Sequence, residues 1–346
     1  MKQPDGTGDA LRLYFERLPK IELHLHLEGA IPLPALWKLV EKYGGDAEVP
    51  TSEALAARFE YRDFPHFIDT WVWKNQFIRE YEDFSFLAAE VARDLVAQNV
   101  LYAEVFYSPG DFRRRRLRVA EITRAIRRGL AEVPAIEVAP ITDLIRDFGP
   151  EQAEVTLDEI RDLRQEAGIL GVGIGGSEHL YPPEPFAAVY ERARSLGFHT
   201  TAHAGEASGP ESVWGALREL RVDRIGHGTR AIEDPHLVDY LAEHRVPVEL
   251  CPISNLRTGV IDAIESHPVR TYFERGVPLS VNTDDPKLFD TSLAAEYLAL
   301  HTRLGFERRE IQSLIEQAVC CSWLPDERKV SLLSRVRREI DGIDKE

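Results

Sequence analysis

The chain has 346 residues, 44% of them hydrophobic, with 58 acidic against 42 basic side chains and a formal charge of −16. That length suits one large domain or two small ones, and so acidic a balance argues against a nucleic-acid backbone or an anionic membrane as partner. Of three cysteines, Cys320 and Cys321 are adjacent and Cys251 stands alone, which leaves neither a disulfide framework nor a paired-cysteine zinc site.

Taken in chain order, the first residues (MKQPDGTGDALRLYFERLPK) hold no apolar run that could serve as a signal-peptide core, and no later stretch is apolar for the length of a membrane span. A soluble, cytoplasmic protein is expected. Eight short apolar runs follow, each ending in Gly, Pro, Asp, His or a neighbouring turn: Ile21–His26, Leu101–Tyr107, Ile136–Leu144, Ile169–Gly175, Phe198–His203, Arg224–Gly228, Pro247–Cys251 and Pro278–Thr283. Between them lie amphipathic stretches at Glu121–Ala131, Leu157–Glu166, Glu184–Leu196, Ser212–Leu220, Pro235–Glu243 and Val269–Arg275. Strand and helix in alternation predict a parallel sheet covered by helices. Eight units in a chain of this size favour a closed (β/α)₈ barrel, with an open doubly wound sheet as the alternative. Residues 34–100 read as a helical insertion after the first strand, and the stretch from 293 onward as helices packed outside. No low-complexity linker divides the chain, so residues 1–346 are expected to form one domain. The insertion carries Phe64, Phe67, Trp71, Trp73, Phe77 and Tyr81. Residues 64–77 read either as a lid over the barrel mouth, with Trp71 or Trp73 facing the pocket, or as a helix packed on the rim.

In such a barrel the chemistry gathers where the strands end. His24 and His26 close the first strand two residues apart, so both imidazoles face the same side, a pairing that suits zinc as well as a hydrogen-bonded core. The fifth strand ends in His203-Ala204-Gly205-Glu206, where Gly205 lets the chain turn and bring Glu206 to the same space. The sixth ends in Gly226-His227-Gly228, a histidine flanked by residues without side chains. The eighth ends in Asp284-Asp285-Pro286, and adjacent carboxylates repel unless a cation or donor satisfies one of them. Each feature alone has an ordinary reading as a capping, turn or solvated residue. Together, at the mouths of four strands, they point to one metal.

These residues also carry a resemblance. KIELHLHLEGAI, TTAHAGE, RIGHG and VNTDDP, in this order and at these intervals, resemble the adenosine deaminase family of the amidohydrolases, along nearly the whole chain and including Tyr107-Ser108-Pro109 and Ser254-Asn255. The resemblance implies one Zn2+ on His24, His26, His203 and Asp284, with Glu206 as the catalytic acid/base and His227 orienting or deprotonating the water. It further implies that Asp285 accepts from the purine at N7, that a backbone N–H at Gly176 donates to purine N3, and that Glu28 lies by the sugar. The expected reaction is hydrolytic deamination of adenosine to inosine and ammonia, with a small-molecule purine nucleoside and water as the partners; oligomeric state is left open.

Two departures bear on the substrate. Glu28 stands where the family commonly has Asp, and the run Gly171-Val172-Gly173-Ile174-Gly175-Gly176-Ser177-Glu178 lacks an aspartate usual after strand four. Relatives with Glu at the first position include adenine deaminases and aminodeoxyfutalosine deaminases, but the adenine-specific branch carries an F-D-P-Q-type sequence where this chain has Phe106-Tyr107-Ser108-Pro109. Adenosine is therefore expected first, a 9-substituted adenine such as aminodeoxyfutalosine next, and free adenine after them. Arg113 to Arg116 are expected to be a solvated loop rather than a seat for an acidic substrate tail. Among other classes, a binuclear amidohydrolase would need a bridging residue at strand four, where glycines stand, and cytidine-type deaminases need an H-x-E with P-C-x-x-C that is absent. The glycine run lacks dinucleotide-fingerprint spacing. A binding protein that has lost catalysis would lack a ligand or Glu206, and both are present.

Overall fold

The computed structural model describes residues 6–60 and 64–345 and contains one sheet of eight parallel strands in sequential order. The strands are β1 (Lys20–His26), β2 (Val100–Tyr107), β3 (Glu137–Asp143), β4 (Gly171–Gly173), β5 (His199–Ala204), β6 (Arg224–His227), β7 (Val248–Leu250) and β8 (Leu279–Val281). Each overlaps one of the eight apolar runs. The sheet closes on itself beyond β8: the Asp284 amide donates to His24 O at 3.0 Å, and the His26 amide donates to Asp284 O at 2.9 Å. A closed barrel, not an open sheet, is the architecture. Strands β1 and β2 are buried along their whole length, which is why they read as continuous rather than alternating apolar runs.

Five helices precede or interrupt the first unit: α1 (Gly6–Arg17), α2 (Leu33–Lys42), α3 (Ser52–Arg58), α4 (Phe64–Asn75) and α5 (Tyr81–Ala97). The last belongs to the barrel's outer ring. It starts in a capping box between Glu80 and Asp83, buries Phe84, Leu87, Ala88, Val91 and Leu95 on one face, and packs against the helix Val119–Ala131. The insertion is thus shorter than 34–100 and consists of α2 to α4. Helices Leu293–Leu304, Arg308–Cys321 and Asp326–Ile343 cover the outside as expected, the second of them packing on β8 and β1.

Three local expectations change. The stretch 157–166 is the end of a helix that starts at Gly149-Pro150 and runs to Ile160, followed by a tight turn at Arg161–Leu163 and one further turn at Arg164–Ala167. Proline in the first helical turn, where its missing N–H costs nothing, sets that earlier start. The helix expected over 212–220 spans Pro210–Gly215 and widens into a π-turn through Leu220. The arginines after β2 are not simply solvated. Pro109–Arg115 forms a 3₁₀ helix, Arg113 reaches Thr156 and Glu159, and Arg115 donates to the carbonyls of Asn75, the last residue of α4, and of Ile78 in the turn after it. None of the described helices is long and apolar enough to cross a membrane.

Candidate metal centre and active site

Four side chains meet where β1, β5 and β8 end. His24 and His26 project from the same face of β1, His203 comes from β5, and Asp284 follows β8. The His203 Nε2 lies 3.1 Å from His24 Nε2 and 3.2 Å from His26 Nε2, while Asp284 Oδ1 lies 3.6 Å and 3.3 Å from the same two nitrogens. Ligand atoms held about 2.1 Å from a common centre in a tetrahedral arrangement stand roughly 3.4 Å apart, so these spacings fit a divalent metal. The donor set passes a second test. His24 Nδ1 is 2.7 Å from Glu249 Oε2, which puts the ring proton on Nδ1 and leaves the Nε2 lone pair aimed at the centre. Burial and the neighbouring imidazoles hold both His24 and His203 well below the ordinary histidine pKa, hence neutral and able to ligate. Three imidazole Nε2 atoms converging with a carboxylate oxygen form a seat that a cation would fill.

Asp284 does two jobs with one backbone. Its amide and carbonyl complete the barrel, its Oδ1 faces the histidines, and its Oδ2 accepts from Ser254 Oγ at 2.7 Å. To do so it adopts φ of +63°, and His227 adopts +61°. Left-handed backbone costs a non-glycine residue roughly 1–2 kcal/mol, and it survives where the surrounding structure over-determines it. Of the eight such residues among those described, these are the two that stand in this site.

Glu206 follows Gly205, whose φ of +72° makes the turn anticipated from the sequence. The turn is held from an unanticipated direction. The Glu178 carboxylate accepts from the backbone N–H groups of Gly205 (2.6 Å), Glu206 (3.1 Å), Ala207 (2.6 Å) and Ser208 (3.0 Å). Glu206 Oε2 lies 3.6 Å from His227 Nε2, and burial, with Asp284 and Glu178 adding to it against His227, pushes its pKa up to about 7. A carboxyl group so placed carries a proton it can give. Replacing Glu178 by Gln removes the charge from four hydrogen bonds at once. Zinc-loaded Glu178→Gln is expected to lose about 1–3 kcal/mol of stability in urea unfolding and to lose turnover with its metal retained. Unchanged stability and turnover would show that the loop holds itself.

Asp285 and Glu28 form a second group beside the metal cluster. Burial, then the Asp284 charge, raises the Asp285 pKa well above the ordinary range, and its Oδ1 is buried with no hydrogen-bond partner. Glu28 Oε1 accepts from the Ser108 amide at 3.0 Å, and its Oε2 is likewise buried and unpartnered. Buried acceptors without partners are rare and need an occupant. Lys74 on α4 is buried here and shares the field of Glu28 and Asp285; its Nζ donates to Asn75 Oδ1 at 2.8 Å and lies 3.7 Å from the Trp71 ring centre. Trp73 turns the other way, donating to Asp46 at 3.1 Å and packing on Phe77. Of the two tryptophans considered for a lid, Trp71 is thus the one beside this group. The side chains of Phe64 and Phe67 lie outside the described residues. Gly176 sits exposed at the end of β4 with φ of +99°, and a Cβ there would stand 2.0 Å from Asp147 Oδ2.

Several residues with a part in the site carried no role in the sequence reading. Glu249 orients His24 and is itself gripped by Arg224 (Nε to Oε1, 2.5 Å), which also meets Glu104 at 2.6 Å. All three are buried in the barrel interior. A lone carboxylate inside the three-residue strand Val248-Glu249-Leu250 was the available signal, since a charge on so apolar a strand has to be paired. Phe106 on β2 stacks on His26 (5.1 Å, 23°) and tilts against His24 (4.8 Å), walling the cluster.

Comparison with known proteins places this geometry. The adenosine deaminase family model matches residues 19–339. The chain is 38% identical to an aminodeoxyfutalosine deaminase of Streptomyces coelicolor over 98% of its own length and 87% of that protein's. An adenine deaminase of Paraburkholderia xenovorans is 32% identical, covering 92% of each chain. Among solved structures, adenine deaminase from Arthrobacter aurescens superposes with a TM-score of 0.86 at 28% identity, over 94% of this chain and 99% of that one. An amidohydrolase from Burkholderia ambifaria with bound Zn superposes with a TM-score of 0.87 at 26% identity, over 96% and 93%.

Proposed function

The chain belongs to the adenosine deaminase family of hydrolytic deaminases, and on that premise we propose that it replaces the 6-amino group of a 9-substituted adenine by oxygen, with one zinc ion held by His24, His26, His203 and Asp284. The observation that carries the reading is the convergence of those four ligand atoms beside a carboxyl group, Glu206, that holds a proton near neutral pH. A zinc ion held by these residues would lower the pKa of a water to near neutrality and so supply a nucleophilic oxygen.

The protein's own groups do the rest. Glu206 donates its proton to purine N1, drawing electrons from C6 and making it the better electrophile. As the water oxygen adds to C6, the Glu206 carboxylate takes one of the water protons and passes it to N6; the C6–N6 bond breaks, the nitrogen leaves as ammonia, and the second water proton returns to Glu206 as the C6–O bond becomes a carbonyl. Asp285 faces N7, which is an acceptor. Since its pKa is raised, Asp285 gives a hydrogen bond there rather than accepting one, reversing the polarity expected from sequence. The Gly176 amide is assigned to N3, and Glu28, with Oε2 free, to a sugar hydroxyl.

For the 9-substituent, the relatives reorder the expectation from sequence. The two Streptomyces proteins named aminodeoxyfutalosine deaminase are 38% and 37% identical across nearly the whole chain, against 32–33% for the adenine deaminases. Aminodeoxyfutalosine now comes first, adenosine second and free adenine third. The check is ammonia release from zinc-loaded protein with aminodeoxyfutalosine, adenosine, deoxyadenosine and adenine. The expected ranking in kcat/KM follows that order, with at least about tenfold, or 1.4 kcal/mol in transition-state binding, between the first two. Release from none of them would remove the purine assignment and leave the metal centre standing.

A further inference from the structure

His227 lies in a chain of hydrogen bonds whose direction is set from its far end. The Val269 amide, which can only donate, points at His267 Nδ1 from 3.2 Å. His267 Nδ1 is therefore a lone pair, and as a neutral ring His267 carries its proton on Nε2. Burial, reinforced by His227, pushes the His267 pKa down to about 3, which keeps the ring neutral. Its Nε2–H faces Asn255 Oδ1 at 3.2 Å, where Thr229 Oγ1 also donates at 2.6 Å. The His267 Nε2–H, which must donate while Nδ1 accepts from Val269, leaves the Asn255 amide a single orientation, with its NH₂ toward His227 Nδ1 at 3.2 Å. Turning that amide over, which the Thr229 hydroxyl could accommodate as an acceptor, would force an Nδ1–H of His267 against the Val269 N–H.

We propose that Asn255 and His267 are positioning residues that lock His227 in the tautomer protonated on Nε2, so that it gives a hydrogen bond to the attacking oxygen instead of taking a proton from it. The lock itself stands on the geometry of four residues; only its consequence for the attacking oxygen rests on the deaminase reading. It decides between the two roles left open for His227. A neutral ring whose Nδ1 accepts from Asn255 has no lone pair on Nε2, and Nε2 is the atom that faces Glu206, on a ring whose centre lies 5.1 Å from that of His203. Proton transfer then falls to Glu206 alone. Both positioning residues are buried, Asn255 at 0% and His267 at 3% exposure, so water does not compete for these bonds. The wrong tautomer at a catalytic histidine costs orders of magnitude in turnover even when geometry is kept.

The test reads the tautomer directly in the zinc-loaded protein with ¹⁵N-labelled histidine rings, using long-range proton–nitrogen correlation and His227→Gln to assign the His227 signals. Bare Nδ1 and protonated Nε2 are expected for His227 and for His267. A protonated Nδ1 on His227 overturns the proposal, whatever substrate the protein proves to use. Asn255→Asp supplies an acceptor where the wild type has a donor. It is expected to move the His227 proton to Nδ1 and to lower kcat on the order of 10²- to 10⁴-fold, with KM within about threefold and one zinc retained. An unchanged tautomer and kcat in that variant would equally overturn it. Should Asn255→Asp not fold, the wild-type spectrum still decides.

Discussion

Glu206→Gln is expected to keep one zinc per chain and to lose about 10²- to 10⁴-fold in kcat, with little change in KM. The amide has the size of the carboxyl and leaves untouched the four backbone bonds by which Glu178 holds residues 205–208, so the loop keeps its shape. What it lacks is a proton that can be delivered to N1 and replaced from the attacking water. None of the four atoms placed to ligate belongs to Glu206, which is why metal and turnover should separate in this variant. Metal content by mass spectrometry and single-turnover kinetics measure the two. Wild-type turnover in Glu206→Gln would sink the acid/base role. Loss of zinc together with turnover would instead make Glu206 part of the metal centre.

That separation mirrors what could be read from residue order and what could not. The eight strands were legible because each is buried by helices outside and by packed side chains inside, which makes a parallel strand a short apolar run. His24 and His26 were legible as a pair because a strand has a period of two. Four strand ends bearing His or Asp were legible as one centre because the fold brings strand ends together. Functions that depend on pairs distant in sequence were not legible. Glu178 lies 28 residues before the amide of Glu206 that it holds, and Glu249 lies 225 after His24. Nothing local marks either as a partner. The boundary of the insertion was misplaced for a related reason: α5 is helical like α2 to α4, and only its packing on the 119–131 helix assigns it to the ring. The raised pKa of Asp285 was likewise hidden, because it depends on burial and on the Asp284 charge rather than on residue type.

The second large effect concerns the metal. His203→Ala is expected to leave dialysed protein with well under one zinc and no measurable turnover, and Glu249→Gln to weaken zinc about 10- to 100-fold while retaining some activity. The two differ because His203 supplies an atom that touches the metal, whereas Glu249 acts through the tautomer and tilt of His24. In Glu249→Gln the Nδ1–H of His24 meets a weaker acceptor, and the buried Arg224 keeps one carboxylate, Glu104, in place of two. Breaking a buried ion pair costs about 3–5 kcal/mol when one partner is left uncompensated, so the surviving Glu104 bond should hold the stability loss below that range. Competition with a chelator of known affinity gives the zinc constants, and urea unfolding of the metal-free proteins gives the stabilities. If His203→Ala held zinc as tightly as Glu249→Gln, His203 would not be a ligand and the metal would have to rest on the other three side chains. If Glu249→Gln lost zinc as completely as His203→Ala, the orientation of His24 would matter as much as a ligand bond, and the Arg224–Glu249 pair would count as part of the metal centre rather than as its support.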